Sequence, residues 1–279
     1  MIVWLASYPK SGNTLLRSLI SSYFFTKDGI FNFETLKNIP QFPSYYFFKD
    51  LGIDTSNEME VIKNYINSQN QINEKKTKTI HFLKTHSSFF KINNFNFTNA
   101  ENTLGAIYVV RDPRDVVISF ANHMHLSTDE ATKRLIFESG LSNEKYNIKT
   151  YVGSWGFNYS SWKKIENEKL LLIKFEDLIH KKNETIKKIL SFLENITNSQ
   201  FEIHEEKIQN IINSTSFNKM QEIEEKQGFF EASIDKKTGK IKKFFKKGID
   251  ANWKKNLDLK NKNLIEDKFK KEMKELGYL

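Results

Sequence analysis

The stretch WLASYPKSGNTLLRSLI, Trp4 to Ile20, decides how this chain reads. Ile2 to Ser7 is short and almost wholly apolar, the pattern of a buried strand. The turn Tyr8-Pro9-Lys10-Ser11-Gly12-Asn13-Thr14 follows. Leu15, Leu16, Leu19, Ile20, Tyr23 and Phe24 then recur at helical spacing. A lysine, two hydroxyls and a glycine crowded into a strand-to-helix turn suit a phosphate. Gly12 lets the backbone approach an anion, and a helix beginning near Asn13 offers unpaired N–H groups and a positive dipole end. Lys10 adds a point charge, while Ser11 and Thr14 add hydroxyl donors. The order differs from the G-x-x-x-x-G-K-[ST] phosphate loop, because Lys10 precedes Gly12, so an ordinary nucleoside triphosphatase is excluded at the motif level. The competing reading is a plain polar turn.

Working outward, residues 79–85 (TIHFLKT) and 104–111 (LGAIYVVR) read as strands, the second ended by Asp112-Pro113. An Asp cap with Pro at the first helical position starts a helix carrying Val116, Val117 and Phe120 inward. Residues 170–175 (LLLIKF) form another buried strand, and Ile186, Ile189, Leu190 and Leu193 mark the helix after it. Strands alternating with helices predict an α/β fold of three layers, a central mostly parallel sheet with helices on both faces. Without repeats or a Pro-rich linker, residues 1–279 read as one domain. Ligands in such sheets bind beyond the carboxyl ends of the strands, where the chemically interesting residues fall.

Three further segments carry chemistry. In YVVRDPRDVVIS, Arg111 stands at a strand tip, placed to bind a phosphate bidentately, and Ser119 lies eight residues on, inside the helix. An Arg111–Asp115 or Arg114–Asp112 surface pair is the plainer alternative. In FLKTH, Lys84 and His86 share one face of a strand, and a histidine beside a lysine resists protonation, which suits a general base. The other histidines (His81, His123, His125, His180, His204) read as surface or structural groups, and His123 and His125 do not face each other as a metal pair. Finally, Lys236, Lys237, Lys240, Lys242, Lys243, Lys246 and Lys247 fall within twelve residues around Phe244 and Phe245. Such a run reads as a solvated face, a nucleic-acid contact, or a lid over a phosphate.

The bulk properties narrow the classes. The chain has 39% hydrophobic and 28% charged residues, an ordinary globular balance. It has no cysteine, hence no disulfide or thiolate metal site. Neither a membrane-length apolar run nor a signal-peptide pattern appears, and the expectation is a cytoplasmic protein. A net charge of +9 fits an anionic ligand, although abundant Lys and Asn throughout also point to coding bias.

Together these segments resemble the cytosolic-type sulfotransferases, which use 3′-phosphoadenosine 5′-phosphosulfate (PAPS) as sulfuryl donor. Residues 8–14 look like the loop for the donor's 5′-phosphosulfate, Lys84-Thr85-His86 like the catalytic strand end, and Arg111 with Ser119 like the 3′-phosphate site. Lys246-Lys247-Gly248 with Asn252-Trp253-Lys254 is similar to the family's Arg-Lys-Gly … Gly-Asp-Trp-Lys segment. Weaker matches are Gly153-Ser154-Trp155, Phe175-Glu176-Asp177 and Thr215-Ser216-Phe217 with Met220. The resemblance implies His86 as general base, Lys10 at the leaving phosphate, Lys84 at the sulfuryl oxygens, and Ser119 and Arg111 on the 3′-phosphate, with no metal. It implies donor contacts from residues 10–15 (Lys10, Ser11, Gly12, Asn13, Thr14, Leu15), Phe175, Thr215, Phe217, Lys246, Lys247 and Gly248, and a lid over residues 228–250. Leu15 stands where many relatives have tryptophan, Phe175 where they have tyrosine, and Lys246 where they have arginine. The family's C-terminal dimer motif, Lys-x-x-x-Thr-Val-x-x-x-Glu, has no counterpart.

Two other functions fit fewer of these features. A Mg-dependent nucleotide or small-molecule kinase would use Asp177 as its metal carboxylate. A non-catalytic nucleic-acid-binding protein would use the lysine-rich segment. The acceptor stays open among small molecules, glycans and lipids; Tyr45, Tyr46, Phe47, Phe48, Phe229 and Phe230 would line its pocket or, by preference for most of them, belong to the core.

Overall fold

The computed structural model describes residues 1–75, 79–137, 140–142, 148–232, 239, 241, 243–245 and 252–279. Strand β1 (Ile2–Ser7) runs through the turn into α1 (Asn13–Phe25), as the alternation from apolar run to helical spacing predicts. Helices α2 (Glu58–Lys63) and α3 (Tyr65–Lys75) lead to β2 (His81–Thr85). A two-strand hairpin of β3 (Lys91–Ile92) and β4 (Phe95–Asn96) precedes β5 (Thr103–Val110). Then come α4 (Pro113–Met124), α5 (Thr128–Ile136), the antiparallel pair β6 (Gly140–Ser142) and β7 (Lys149–Tyr151), and α6 (Trp155–Trp162). Strand β8 (Leu170–Lys174) passes directly into α7 (Phe175–His180) and α8 (Lys182–Thr197). Helices α9 (Glu205–Ser214), α10 (Phe217–Gln227), α11 (Trp253–Asn256), α12 (Leu259–Lys268) and α13 (Lys270–Glu275) follow.

The central sheet has the order β2-β1-β5-β8, every neighbouring pair parallel. Because side chains alternate along a strand, each strand feeds two cores. Ile2, Trp4 and Ala6 join Ala106, Tyr108 and Val110 under α4, α6, α12 and α13. Val3 and Leu5 join Ile107, Val109, Leu171 and Ile173 under α1, α8 and α9. The three-layer reading therefore holds. So does the Asp112-Pro113 start: Asp112 caps α4 by accepting from the Arg114 N–H, with Pro113 at the first helical position.

Parallel β1, β2, β5 and β8 end together, so the turn after β1, His86, Arg111 and Phe175 are brought to one edge of the sheet. The segment after β2 is pinned there from behind. Asn158 of α6 donates to the His86 carbonyl (3.0 Å) and the Val152 carbonyl (2.7 Å), and Tyr108 donates to Asn158 (2.8 Å). Trp162 donates to the Ser87 carbonyl at 2.9 Å. These buried bonds fix where the backbone leaves the strand.

Among the aromatics offered for a pocket, Phe48 and Phe229 are core residues and Phe47 packs against the core. Tyr45, Tyr46 and Phe230 are exposed, so the preference for core fails at these three.

Candidate active site at the carboxyl edge of the sheet

A cleft of about 770 Å³ opens at this edge, within the size range of a cofactor or substrate site. Its walls include Lys10, Gly12, Asn13, Thr14, Leu15, Lys84, His86, Arg111, Ser119, Phe175, Thr215 and Phe217, residues the sequence placed in five separate segments. Lys246, Lys247 and Gly248 lie outside the described residues.

The turn is held in a shape that few sequences can adopt. Gly12 has φ +105°, and a Cβ there would lie 2.4 Å from the Phe175 ring. Lys10 itself sits at φ +67°, in the left-handed region that costs a non-glycine residue. Gly12→Ala should therefore destabilise the fold by about 1–3 kcal/mol and push Phe175 off the turn; urea unfolding of the two proteins measures the first effect.

Two residues of the turn play different parts from those expected. Ser11 is buried at 1% exposure, its hydroxyl has no partner among the described residues, and it is not on the cleft wall. The Asn13 side chain donates to the Leu5 carbonyl (2.8 Å) and the Ser7 hydroxyl (3.2 Å), stitching helix to strand. Any contact it makes with an anion is left to its backbone N–H. Thr215 reaches the cleft, but its hydroxyl donates to the Ile211 carbonyl at 2.7 Å.

His86 lies just past β2. Its Nδ1 is 2.9 Å from the Ser7 carbonyl, which can only accept, so Nδ1 carries the proton and Nε2 keeps its lone pair. Burial, then the charge of Lys84, lower its pKa to about 3. The imidazole is neutral and is oriented by the strand that runs into the Gly12 turn.

Cations dominate the rest of the cleft. Lys10 is lowered to about 8 by burial and by Lys84, and its ammonium sits 4.2 Å from the Phe244 ring centre. Lys84 is also lowered by burial, with Glu231 opposing. Arg111 is only 7% exposed. Among the described residues its one hydrogen bond is a long one, 3.4 Å to the Lys10 carbonyl, and its Nε has no partner. Its guanidinium lies 4.3 Å from the Phe175 ring centre. Arg114 is the opposite case. It bonds Asp112 (2.6 Å), Glu266 (2.6 Å) and the Tyr278 carbonyl (2.8 Å). The Arg114–Asp112 pair exists, but it is buried and ties the C-terminus to α4 rather than decorating the surface. A buried guanidinium without a carboxylate is costly unless an anion comes to it.

Three ionisable wall residues escaped the sequence. Lys182, the first residue of α8, donates to the Thr215 carbonyl (2.7 Å) and is lowered to about 8 by burial. Nothing marks it within a lysine-rich chain. His123, read as structural, lines the cleft near the Phe244 ring, lowered to about 4 by burial and by Lys10 and Lys84. Glu231 is, among the described residues, the one carboxylate on the wall.

The segment expected to form a lid is anchored where it is described. Glu224 accepts from the N–H groups of Phe244 (2.6 Å) and Phe245 (3.0 Å), and Phe245 packs with Phe33 and Phe229 in the core. Beyond it, Trp253 donates its N–H to Asp115 (2.8 Å) and stacks on Arg114 at 3.9 Å. Lys243 pairs with Glu225 at the surface. Asp177, the carboxylate a metal-dependent kinase would need, is off the cleft wall and 3.4 Å from Lys181. Among the described residues no group of His, Asp and Glu is placed to hold a metal, and no helix is long and apolar enough to cross a membrane.

Comparison with known proteins agrees with this geometry. A family model for the sulfotransferase domain matches residues 2–277. Sulfotransferase 1A1 of the dog, Canis lupus familiaris, is 24% identical over 279 residues, covering 98% of this chain and 83% of its own. Sulfotransferase 1E1 of Mus musculus is 24% identical over 280 residues, with 97% and 83% covered. Among solved structures, mouse sulfotransferase SULT7A1 complexed with PAP aligns with a TM-score of 0.60 at 18% identity, covering 98% of this chain and 83% of that one.

Proposed function

This chain belongs to the sulfotransferase family, and we propose that it moves the sulfuryl group of PAPS to a hydroxyl or amine of a small acceptor, with His86 as general base. The observation that carries the donor assignment is Arg111, a buried cation that lines the same cleft as Lys10 and makes no ion pair among the described residues; Asp115, Glu176 and Asp112 favour its charge from further off, and burial outweighs them. A ligand with two separated phosphate groups satisfies both cations, and Ser119 adds a hydroxyl from α4. The residues of the wall fit this donor: the Gly12 turn and the start of α1 receive its 5′ phosphate, while Leu15, Phe175 and Phe217 offer apolar surface for a base.

In the chemical step, His86 Nε2 takes the acceptor's proton as the acceptor oxygen or nitrogen attacks sulfur. Lys84 balances charge on the sulfuryl oxygens. Lys10 balances charge on the phosphate oxygen that departs. Two lysines thereby supply electrostatic stabilisation at the atoms where charge develops. Of the lid expected over residues 228–250, Glu231, Lys243, Phe244 and Phe245 line the cleft, and residues 233–238, 240, 242 and 246–250 lie outside the described residues.

Calorimetry with adenosine 3′,5′-bisphosphate, AMP and ATP tests the donor site. The bisphosphate is expected to bind about 100-fold or more tighter than AMP, as loss of one buried charged contact typically costs. Equal affinities would remove the second phosphate from the reading. An acceptor screen with PAPS, reading formation of the bisphosphate, then tests the transfer.

A further inference from the structure

We propose that Glu231 is a positioning residue of the transfer site, holding Lys84 in place and charged where the sulfuryl group is handed over. The proposal rests on the role given above to Lys84. The geometry is specific. One Glu231 carboxylate oxygen lies 2.5 Å from Arg17 of α1, and the other lies 3.7 Å from the Lys84 ammonium. The three side chains are 21%, 3% and 10% exposed, so the bridge is shielded from water on most sides. Arg17 is itself fixed by donating to the Leu36 carbonyl at 3.2 Å. The carboxylate thus hangs from a rigid arm and faces a lysine on the edge strand of the sheet.

Charge explains why the site needs it. Lys84 is faced by Arg17 on α1, Lys10 on the turn after β1, His123 on α4 and His86 just past its own strand. Burial and Arg17 both favour the neutral amine, and Glu231 is the group that opposes them. Burial alone would raise the Glu231 carboxyl, but Lys84 and Arg17 overcome it and bring it to about 2, so it stays an anion. A neutral Lys84 could not balance the sulfuryl oxygens. Glu231 also follows Phe229, whose ring packs against Phe244 and Phe245, which places the carboxylate in the segment that borders the cleft.

The sign of the effect is defined. The charged lysine is the active form, so activity is lost as pH rises through its pKa. Removing a carboxylate lowers that pKa and moves the loss to lower pH. An opposite charge at this range shifts a pKa by roughly 1–3 units.

The test compares wild type with Glu231→Gln and Glu231→Asp. First, competitive acetylation of the ligand-free protein with acetic anhydride, mapped by peptide mass spectrometry, follows the ionisation of Lys84 without donor or acceptor. The Lys84 midpoint is expected about one pH unit or more lower in Glu231→Gln, with Glu231→Asp between the two. Second, sulfuryl transfer is measured on both sides of the Lys84 midpoints that acetylation locates. The ratio of turnover at high to low pH is expected to fall about tenfold in Glu231→Gln, and the affinity for adenosine 3′,5′-bisphosphate should not weaken. An unmoved Lys84 midpoint, or pH profiles that superimpose after scaling, would overturn the proposal. If Glu231→Gln does not fold, the Asp variant carries the same comparison. Failure of the wild type to bind the bisphosphate would instead strike the donor assignment, leaving the acetylation result to stand by itself.

Discussion

Replacing His86 with alanine is expected to slow sulfuryl transfer by about 10²–10⁴-fold, the usual cost of losing a general base, with bisphosphate affinity nearly intact. The split follows from what the imidazole touches. Its Nδ1 is engaged by Ser7, and its Nε2 has no hydrogen bond among the described residues, so in the proposed reaction its partner is the acceptor's proton and not the donor. The backbone at this point is held separately, by Asn158 on the His86 carbonyl, so truncating the ring leaves the strand end in place. Lys10→Ala should behave otherwise and impair both binding and turnover, because Lys10 is assigned to the phosphate that leaves. The protonation state is also checkable. Burial and Lys84 depress His86 to about 3, so its imidazole NMR signal should show a neutral ring across pH 5–8. A fully active alanine variant would reject His86 as base. A variant that loses the nucleotide would make it a structural residue.

The parts of this site legible in the sequence are those set by local chemistry. The apolar run of β1, the glycine turn and the Asp112-Pro113 cap each dictate backbone within a few residues, and each appears where the pattern places it. Strand ends in a parallel sheet then gather distant segments without further information, which is why Lys10, Lys84, His86 and Arg111 converge. What the sequence conceals is decided by approach between distant segments. Glu231 belongs to a segment remote from Lys84 in sequence, and one glutamate in a charged chain carries no mark. His123 was indistinguishable from its neighbour His125, yet His123 reaches the cleft while His125 takes up the left-handed cap of α4. The pattern RDPR offers two arginines with similar surroundings. Packing separates them: Asp112, Glu266 and the Tyr278 carbonyl all take up Arg114, while Arg111 has no equivalent partner among the described residues.

That difference between the two arginines yields the second large effect. Arg111→Met is expected to weaken adenosine 3′,5′-bisphosphate binding by about 100-fold or more, the cost of removing one side of a buried charge pair. AMP binding should change far less. At the same time the ligand-free protein should unfold at the same temperature as wild type or higher. A guanidinium at 7% exposure, its Nε without a partner among the described residues, loses its hydration in the folded state and recovers only part of it from the Lys10 carbonyl and from the charges of Asp115, Glu176 and Asp112. Methionine removes that penalty and keeps an unbranched chain against the Phe175 ring, at a position where sulfur–aromatic contact is favourable. Arg114→Met should do the reverse, because it strips partners from Asp112 and Glu266 and releases the C-terminal residues, lowering the unfolding temperature. Differential scanning calorimetry with and without the bisphosphate distinguishes the pair. A ligand that binds only the folded state raises its unfolding temperature by mass action, and at equal ligand concentration that increment should shrink strongly for Arg111→Met while its baseline holds. A lowered baseline for Arg111→Met would mean that Arg111 supports the fold, and the anion site would lose its strongest observation.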